Sequence, residues 1–339
     1  MDVDTDLRRS FTEYLKGLYR KHSRTRAFRG TTVEELVRWQ EEMRPRLLEL
    51  LGGQCETIPD PQLKRRWVEE RDGVLIERLL YQTRPGLWTP AFLVRPKEIE
   101  GPLPGVLCPP GHGGGMHQVV FEEVNTIGGT EMYKQYPLEI ARRGMAALVP
   151  EHIGFGERVA GEKDTNHPFY YQVLDLLGES AIGFFLWDLQ RALDVLMELP
   201  EVDRNRIGCY GLSLGGEMTL FAAAVEPRIR AACISGFFSS YASTFLAERH
   251  CGCGYVHGLV QEMEHIDIAT LIVPRPLVVE SGTWDPMVPV EAALKSVAQL
   301  RRIYALCGAK DRLLHDVFVG RHEISGGIAF NALERWLKE

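Results

Sequence analysis

A serine, an aspartate and a histidine at three well-separated places in this chain could together break an acyl bond. Arg206-Ile207-Gly208-Cys209-Tyr210 reads as a short apolar strand, and Met218 to Ala224 continues a helix. Between them lies Gly211-Leu212-Ser213-Leu214-Gly215-Gly216, a serine framed by glycines. The G-x-S-x-G spacing has a mechanical reason. A serine on a sharp strand-to-helix turn sits in a strained backbone conformation, and only residues without side chains pass close to it. The turn lifts the hydroxyl clear of the sheet. The helix that starts just after it aims free backbone N–H groups at any oxyanion formed there.

Three fixed positions in five recur by chance, so the weight of this motif comes from its context. A serine hydroxyl is a weak nucleophile until an imidazole takes its proton, and a carboxylate must hold the imidazole in the right tautomer. In an open parallel sheet, ligands bind beyond the carboxyl ends of the strands. Asp285 stands in the loop after Pro276-Leu277-Val278-Val279-Glu280, and His322 in the loop after Val317-Phe318-Val319. Glu280 is the rival acid, at a strand end where it points into structure. His315 and His265 are rival bases that fit the chain order less well, and His117 reads as a surface loop residue. The amide of Leu214, next after the nucleophile, is the first expected oxyanion donor. The second is expected from His112 or Gly113, in the loop Pro109-Pro110-Gly111-His112-Gly113-Gly114-Gly115.

Weaker candidates border this constellation. Glu151-His152-Ile153-Gly154-Phe155-Gly156-Glu157-Arg158 follows a strand and so faces the cleft. Glu151 is therefore placed at the substrate, with a glycine-rich turn held by charge pairs as the equal alternative. Trp284, beside Asp285, is the other residue placed at the substrate, although Trp187, Asp188 and Trp284 also read as packing residues. Asp188, on an otherwise apolar helix, is expected to cap or bond backbone near the serine turn, the elbow of the chain. Cys251-Gly252-Cys253, with His250 and His265, has metal-ligand residue types. A C-x-C pair without a second paired motif reads as a loop near the acyl pocket, so no metal and no cofactor is expected.

The elements that must position these groups follow from periodicity. Residues 6–21 and 32–52 are helical. The first carries Leu7, Phe11, Tyr14, Leu15 and Leu18 on one face, and the second opens with the capping box Thr32-Val33-Glu34-Glu35. Pro45 should kink the second or divide it. These helices form an N-terminal extension, residues 1–62, packed against the edge of a catalytic domain, residues 63–339. Strands around 67–69, 74–81 and 88–94 make an antiparallel meander. The chain then alternates: strand 105–108, helix 131–143, strand 145–150, helix 179–199, strand 206–210 and the elbow helix. Strands at 229–235, 276–280 and 313–319 follow, with helices at 289–304 and 324–337. Such alternation predicts an α/β fold: a mostly parallel central sheet with antiparallel N-terminal strands and helices on both faces. The long irregular stretches 152–178 and 237–264 have the length of functional or lid-forming loops.

Composition narrows the function classes. The chain has 339 residues, a formal net charge of -7 and 45% hydrophobic residues. The mild acidity argues against a nucleic-acid partner. No apolar run is long enough for a membrane span, and the acidic start, Met1-Asp2-Val3-Asp4, lacks the pattern of a signal peptide. Seven scattered cysteines fit a reduced, cytoplasmic protein. A homo-oligomer stays open.

Val202-Asp203-Arg204-Asn205-Arg206-Ile207-Gly208, leading into Gly211-Leu212-Ser213-Leu214-Gly215-Gly216, resembles the elbow segment of dienelactone-hydrolase-like and acetyl-xylan-esterase-like α/β-hydrolases. Prolyl-oligopeptidase-type catalytic domains share it. Ile153-Gly154-Phe155-Gly156-Glu157-Arg158 is similar to the G-F-G-E segment of acetyl esterase relatives. The resemblance covers about residues 63–339 as an ordered string of motifs. It implies the α/β-hydrolase fold, with Ser213, Asp285 and His322 as its triad in the order Ser…Asp…His. It also implies a serine esterase acting on small acyl or acetyl esters, carbohydrate esters included. Dienelactone hydrolase itself uses a cysteine where this chain has Ser213, which favours ester chemistry. A peptidase or amidase is the alternative, with Glu122-Glu123 or Glu151 to bind a substrate amine. A catalytically silent hydrolase fold used for binding is the third reading.

Overall fold

A computed structural model describes residues 3–52, 59–121, 132–159 and 167–339. Two helices lead the chain, α1 (Val3–His22) and α2 (Val33–Leu51). The strands β1 (Lys64–Arg71), β2 (Val74–Arg84) and β3 (Leu87–Pro96) follow. Alternation then runs through β4 (Leu103–Leu107), α3 (Gly115–Phe121), α4 (Tyr136–Arg142), β5 (Ala146–Pro150), α5 (His167–Leu176) and α6 (Ala181–Glu198). Next come β6 (Val202–Leu212), α7 (Leu214–Val225), β7 (Ala231–Ser235), α8 (Leu259–Glu262), α9 (His265–Thr270) and β8 (Leu277–Gly282). The chain closes with α10 (Val290–Leu306), β9 (Leu313–Phe318) and α11 (Ala329–Lys338).

The strands form one sheet in the order β1-β2-β3-β5-β4-β6-β7-β8-β9. Pairing is antiparallel from β1 to β3 and between β3 and β5, and parallel from β5 through β4 to β9. Strands β5, β7 and β8 are buried at every residue, which is what apolar runs covered by helices on both faces produce. One core joins α2, α6, α7, α9 and α10 to one face of the sheet, and a second packs α3, α4 and α11 on the other. The rim strand β1 is different: Trp67 and Val68 stay exposed among charged neighbours. The fold class is that of an α/β-hydrolase.

Strand order places the chemistry. Connections leave β4 toward β5 on one side, while β6 lies on its other side, so the direction of winding reverses at β4. A crevice opens at such a reversal, beyond the carboxyl ends of the strands. The loop after β4 and the turn after β6 therefore meet there.

Several elements depart from the periodicity reading. Helix α2 runs unbroken through Pro45, so the chain is not divided there. Pro45 and Glu41 are both exposed, so the carbonyl that loses its donor stays open to water. The capping box forms as expected, with Thr32 accepting from the Glu35 amide. The apolar stripe of α1 does not pack on the domain: Leu7, Phe11, Tyr14, Leu15 and Leu18 are exposed. Contact is made at its end instead, where the Tyr19 hydroxyl donates to Glu264 and Arg24 pairs with Asp267. The last helix starts at Ala329 rather than 324, because the amides of Ser325 and Gly326 turn away to the Glu280 carboxylate. Both long irregular stretches contain short helices, α5 in one and α8 in the other. Part of the expected helix 131–143, and Cys55 and Glu122-Glu123, lie outside the described residues.

Candidate active site

Ser213 occupies the turn between β6 and α7 at φ 62°, ψ -123°. A side-chain-bearing residue in that region carries strain on the order of 1–3 kcal/mol, which packing must offset. Packing does so through the glycines around it. A Cβ on Gly211 would lie 2.3 Å from the Gly215 carbonyl oxygen, and one on Gly215 would lie 2.2 Å from that of Pro109. The junction is closed by backbone against backbone. Ser213 precedes α7 without capping it through its side chain, so the hydroxyl is not spent on the helix.

His322 reaches the same place from the loop after β9. Its Nδ1 lies 2.8 Å from Asp285 Oδ2. The other oxygen, Oδ1, accepts from the amides of Met287 and Val288 at 2.8 and 3.1 Å. With both oxygens engaged and its side chain buried, Asp285 is fixed in position. The imidazole sits over Gly236, where an added Cβ would lie 3.2 Å from its Nδ1. Gly236 follows Ser235, whose carbonyl accepts the Ser213 amide at 3.0 Å. Ser213, Leu214, His112 and His322 all line one cavity of 340 Å³, walled by Phe237, Phe245, Met287 and Val288.

The glycine loop after β4 borders the nucleophile. A Cβ on Gly111 would stand 3.2 Å from the Ser213 Cβ, and the Tyr133 hydroxyl ties down the His112 carbonyl at 3.1 Å. The Gly114 amide is spent on Gln118, and that of Met116 on Glu151. The amides of His112 and Gly113 have no partner among the described residues.

The rivals are engaged elsewhere. Glu280 accepts from the Tyr210 hydroxyl at 2.9 Å and from the Gly326 amide at 2.8 Å. His315 bonds Ser281 and is held down to about 4 by burial. His265 accepts the Ser239 amide and stacks on Phe237. His117 pairs with Glu157.

Two residues placed at the substrate by sequence stand elsewhere. Glu151 is 1% exposed, beneath the glycine loop. It accepts the Met116 amide, and burial pushes its carboxyl up to about 8. A Cβ on Gly115 or Gly156 would collide with its carboxylate, so those glycines are what admit it there. Trp284 is 70% exposed and does not line the cavity; its neighbours Pro286 and Met287 do. Asp188 bonds Arg158 at 2.5 Å rather than backbone at the elbow.

Sequence reasoning passed over Glu217. It stands on the first turn of α7, lines the cavity and is buried, which raises its carboxyl well above the usual range; the nearby Cys251 adds to this. The available signal was a lone acid within Leu214–Val225, a helix otherwise apolar or small. It also paired the cysteines with the wrong histidines: Cys251 and Cys253 face His112 and His167, not His250 and His265.

Among the described residues no helix is long and apolar enough to cross a membrane. The chain is 30% identical over 309 residues to YtaP of Bacillus subtilis (strain 168), a protein assigned as a hydrolase, covering 87% of this chain and 99% of YtaP. A protein of Bacteroides fragilis NCTC 9343 assigned as an acetyl xylan esterase superposes with a TM-score of 0.74 at 18% identity. That match covers 91% of this chain and 81% of the other. A glucuronoyl esterase from Solibacter usitatus gives a TM-score of 0.65 at 17% identity, over 91% and 93% of the two chains. Residues 12–299 match the profile of the Abhydrolase family. With that match, the YtaP relationship and a sheet wound as α/β-hydrolases wind it, the chain belongs to the Abhydrolase family of α/β-hydrolases.

Proposed function

We propose that the protein is a serine carboxylesterase acting through an acyl-enzyme on Ser213, with His322 as base and Asp285 as its orienting acid. The observation that carries this reading is the Asp285–His322 hydrogen bond, 2.8 Å long, at the wall of the cavity that Ser213 also lines. With Nδ1 donating to Asp285, Nε2 is the nitrogen left to take the serine proton. The serine oxygen adds to the acyl carbon, and the imidazolium then protonates the departing alcohol. Water repeats the cycle to release the acid and regenerate the hydroxyl.

The amide of Leu214, at the first position of α7, and that of His112 or Gly113 would hold the oxyanion. Each such donor typically lowers the barrier by ~2.7–4 kcal/mol. Apolar walls and the 340 Å³ volume favour a small acyl group. Acetyl esters, those of carbohydrates included, are the substrates to test first, in keeping with the names of the structural neighbours. Of the acids the peptidase alternative would use on a substrate amine, Glu151 is buried under the glycine loop, and Glu122-Glu123 lie outside the described residues.

Hydrolysis of p-nitrophenyl acetate tests the proposal. Ser213→Ala should lose on the order of 10⁶ in kcat, as removal of a triad nucleophile does. Equal turnover by the two proteins would end it, and cleavage of aminoacyl-naphthylamides but not esters would move the reading to an amidase. A cytoplasmic location is supported by six described cysteines that are all unbridged. A second copy of the chain is the partner that the exposed stripe of α1 supports.

A further inference from the structure

Beside the catalytic cavity, four metal-binding side chains from three separate segments converge. His112 comes from the glycine loop after β4, His167 opens α5, and Cys251 and Cys253 flank Gly252 in a short 3-10 turn. One ligand atom of each lies within 4.8 Å of the other three, and His112 Nε2 is 3.3 Å from Cys253 Sγ. A second observation points the same way. His167 is 8% exposed, and among the described residues neither of its ring nitrogens has a well-formed hydrogen bond; the thiols of Cys251 and Cys253 are the polar groups that lie beside it. A buried imidazole with both nitrogens idle is costly unless something unseen satisfies one of them.

We propose that these residues form a closed Cys₂His₂ site for a zinc ion. Zinc bonds of ~2.0–2.1 Å to nitrogen and ~2.3 Å to sulfur give tetrahedral edges of roughly 3.3–3.8 Å. The present separations need to contract only modestly to reach them. On binding, each thiol gives its proton to solvent and its sulfur lone pair to the metal. Two thiolates then balance the 2+ charge, so the buried site is neutral. Four protein ligands leave no open position, so the ion is structural and takes no part in the acyl chemistry. The site has a mechanical outcome. It ties α5 and the cysteine turn, from the two long irregular stretches, to the loop that also supplies the His112 amide. The cysteine turn already packs hard there, since a Cβ on Gly252 would fall within 2.4 Å of the Tyr171 ring. A zinc ion would pin all three segments together.

The test reads metal, not turnover, so it stands apart from the esterase assignment. The reduced full chain is stripped with chelator, given Zn(II) alone, desalted and measured by plasma emission. About one zinc per chain is expected. Co(II) added to the stripped protein should give strong visible bands of a tetrahedral ion and a thiolate-to-cobalt band in the near ultraviolet. Cys251→Ser with Cys253→Ser, and separately His167→Gln, should lose the zinc, and the double cysteine variant should lose the charge-transfer band. If the variants fail to fold, the wild-type stoichiometry and spectrum decide alone. Wild-type protein that retains no zinc, cobalt that stays pale and octahedral, or zinc retained equally by folded variants would overturn the site.

Discussion

In the proposed mechanism a single side chain, Asp285, makes an imidazole basic in one direction. One oxygen accepts from His322 and the other from two amides, so neither can rotate away. Asp285→Asn keeps the size but offers an N–H where a carboxylate oxygen stood, which favours the wrong imidazole tautomer. A loss of about 10⁴ in kcat is expected, with little change in thermal stability. Steady-state kinetics beside a melting curve checks both halves of that statement. Glu151 makes a different prediction. Burial raises its folded pKa to about 8 from the usual 4.5. The folded state thus keeps a proton that the unfolded chain has lost, so stability is full below pH 4.5 and falls as pH rises toward 8. Glu151→Gln should flatten that decline, and melting temperatures of both proteins from pH 5 to 8 would show it. At this scale the placing of Ser213 and His322 at one cavity, with Asp285 against the histidine, could be read from the chain, because glycine spacing and strand-end position point to those positions. Glu151 and Trp284 could not. Following a strand places a residue at the cleft end of the sheet, but the direction of its side chain depends on packing against Gly115, Gly156 and the surface.

Strand order brings the working groups together more than any one contact does. Because β4 and β6 are neighbours, the loop leaving one and the turn leaving the other share a wall. Gly215 meets that wall at the Pro109 carbonyl, where an added Cβ would lie 2.2 Å from the oxygen. Gly215→Ala should push the glycine loop away from Ser213, lowering kcat by 10²–10³, about the loss of one oxyanion donor, with a smaller effect on KM. A kcat loss without protein unfolding, read by near-ultraviolet circular dichroism, would agree; unchanged kcat would not. Long elements with clean periodicity, such as α6, α10 and the parallel strands, were legible within a few residues. The short helices α3, α5, α8 and α9 were not, since four to ten residues hold too few turns for a period to show. The cysteine–histidine cluster was hidden for a related reason: its members come from two loops and the first residue of α5, spread from residue 112 to 253, and only the folded crevice gathers them.

At the scale of the molecule, the two leading helices behave unequally. Leu36, Met43, Leu47 and Leu51 of α2 belong to the same core as α6 and α7. Arg44 donates to the carbonyls of Ala224 and Leu271, and Gln40 to those of Thr270 and Val273, so α2 also satisfies the ends of α7 and α9. Leu47→Ala should therefore cost about 2–5 kcal/mol of the stability of the whole chain, not of a local unit. Calorimetry should show one transition moved down; an early, separate melting of the N-terminal segment would count against this. Composition alone could not distinguish α2 from α1, because both are amphipathic and only the three-dimensional fit decides which face finds a core.

The uncovered rim of the sheet has its own consequence. Among the described residues nothing pairs with the outer edge of β1, which leaves a row of backbone donors and acceptors beside the exposed Trp67 and Val68. Such a border invites another molecule to line up alongside and continue the ladder. Here it is bracketed by Lys64, Arg65 and Arg66 on one side and Glu69, Glu70 and Arg71 on the other. A copy lining up in parallel would bring like charges together, whereas an antiparallel one would set Arg65 and Arg66 against Glu70 and Glu69; that pairing uses the same edge of both chains, so the ladder stops at two copies and does not run on as a fibre.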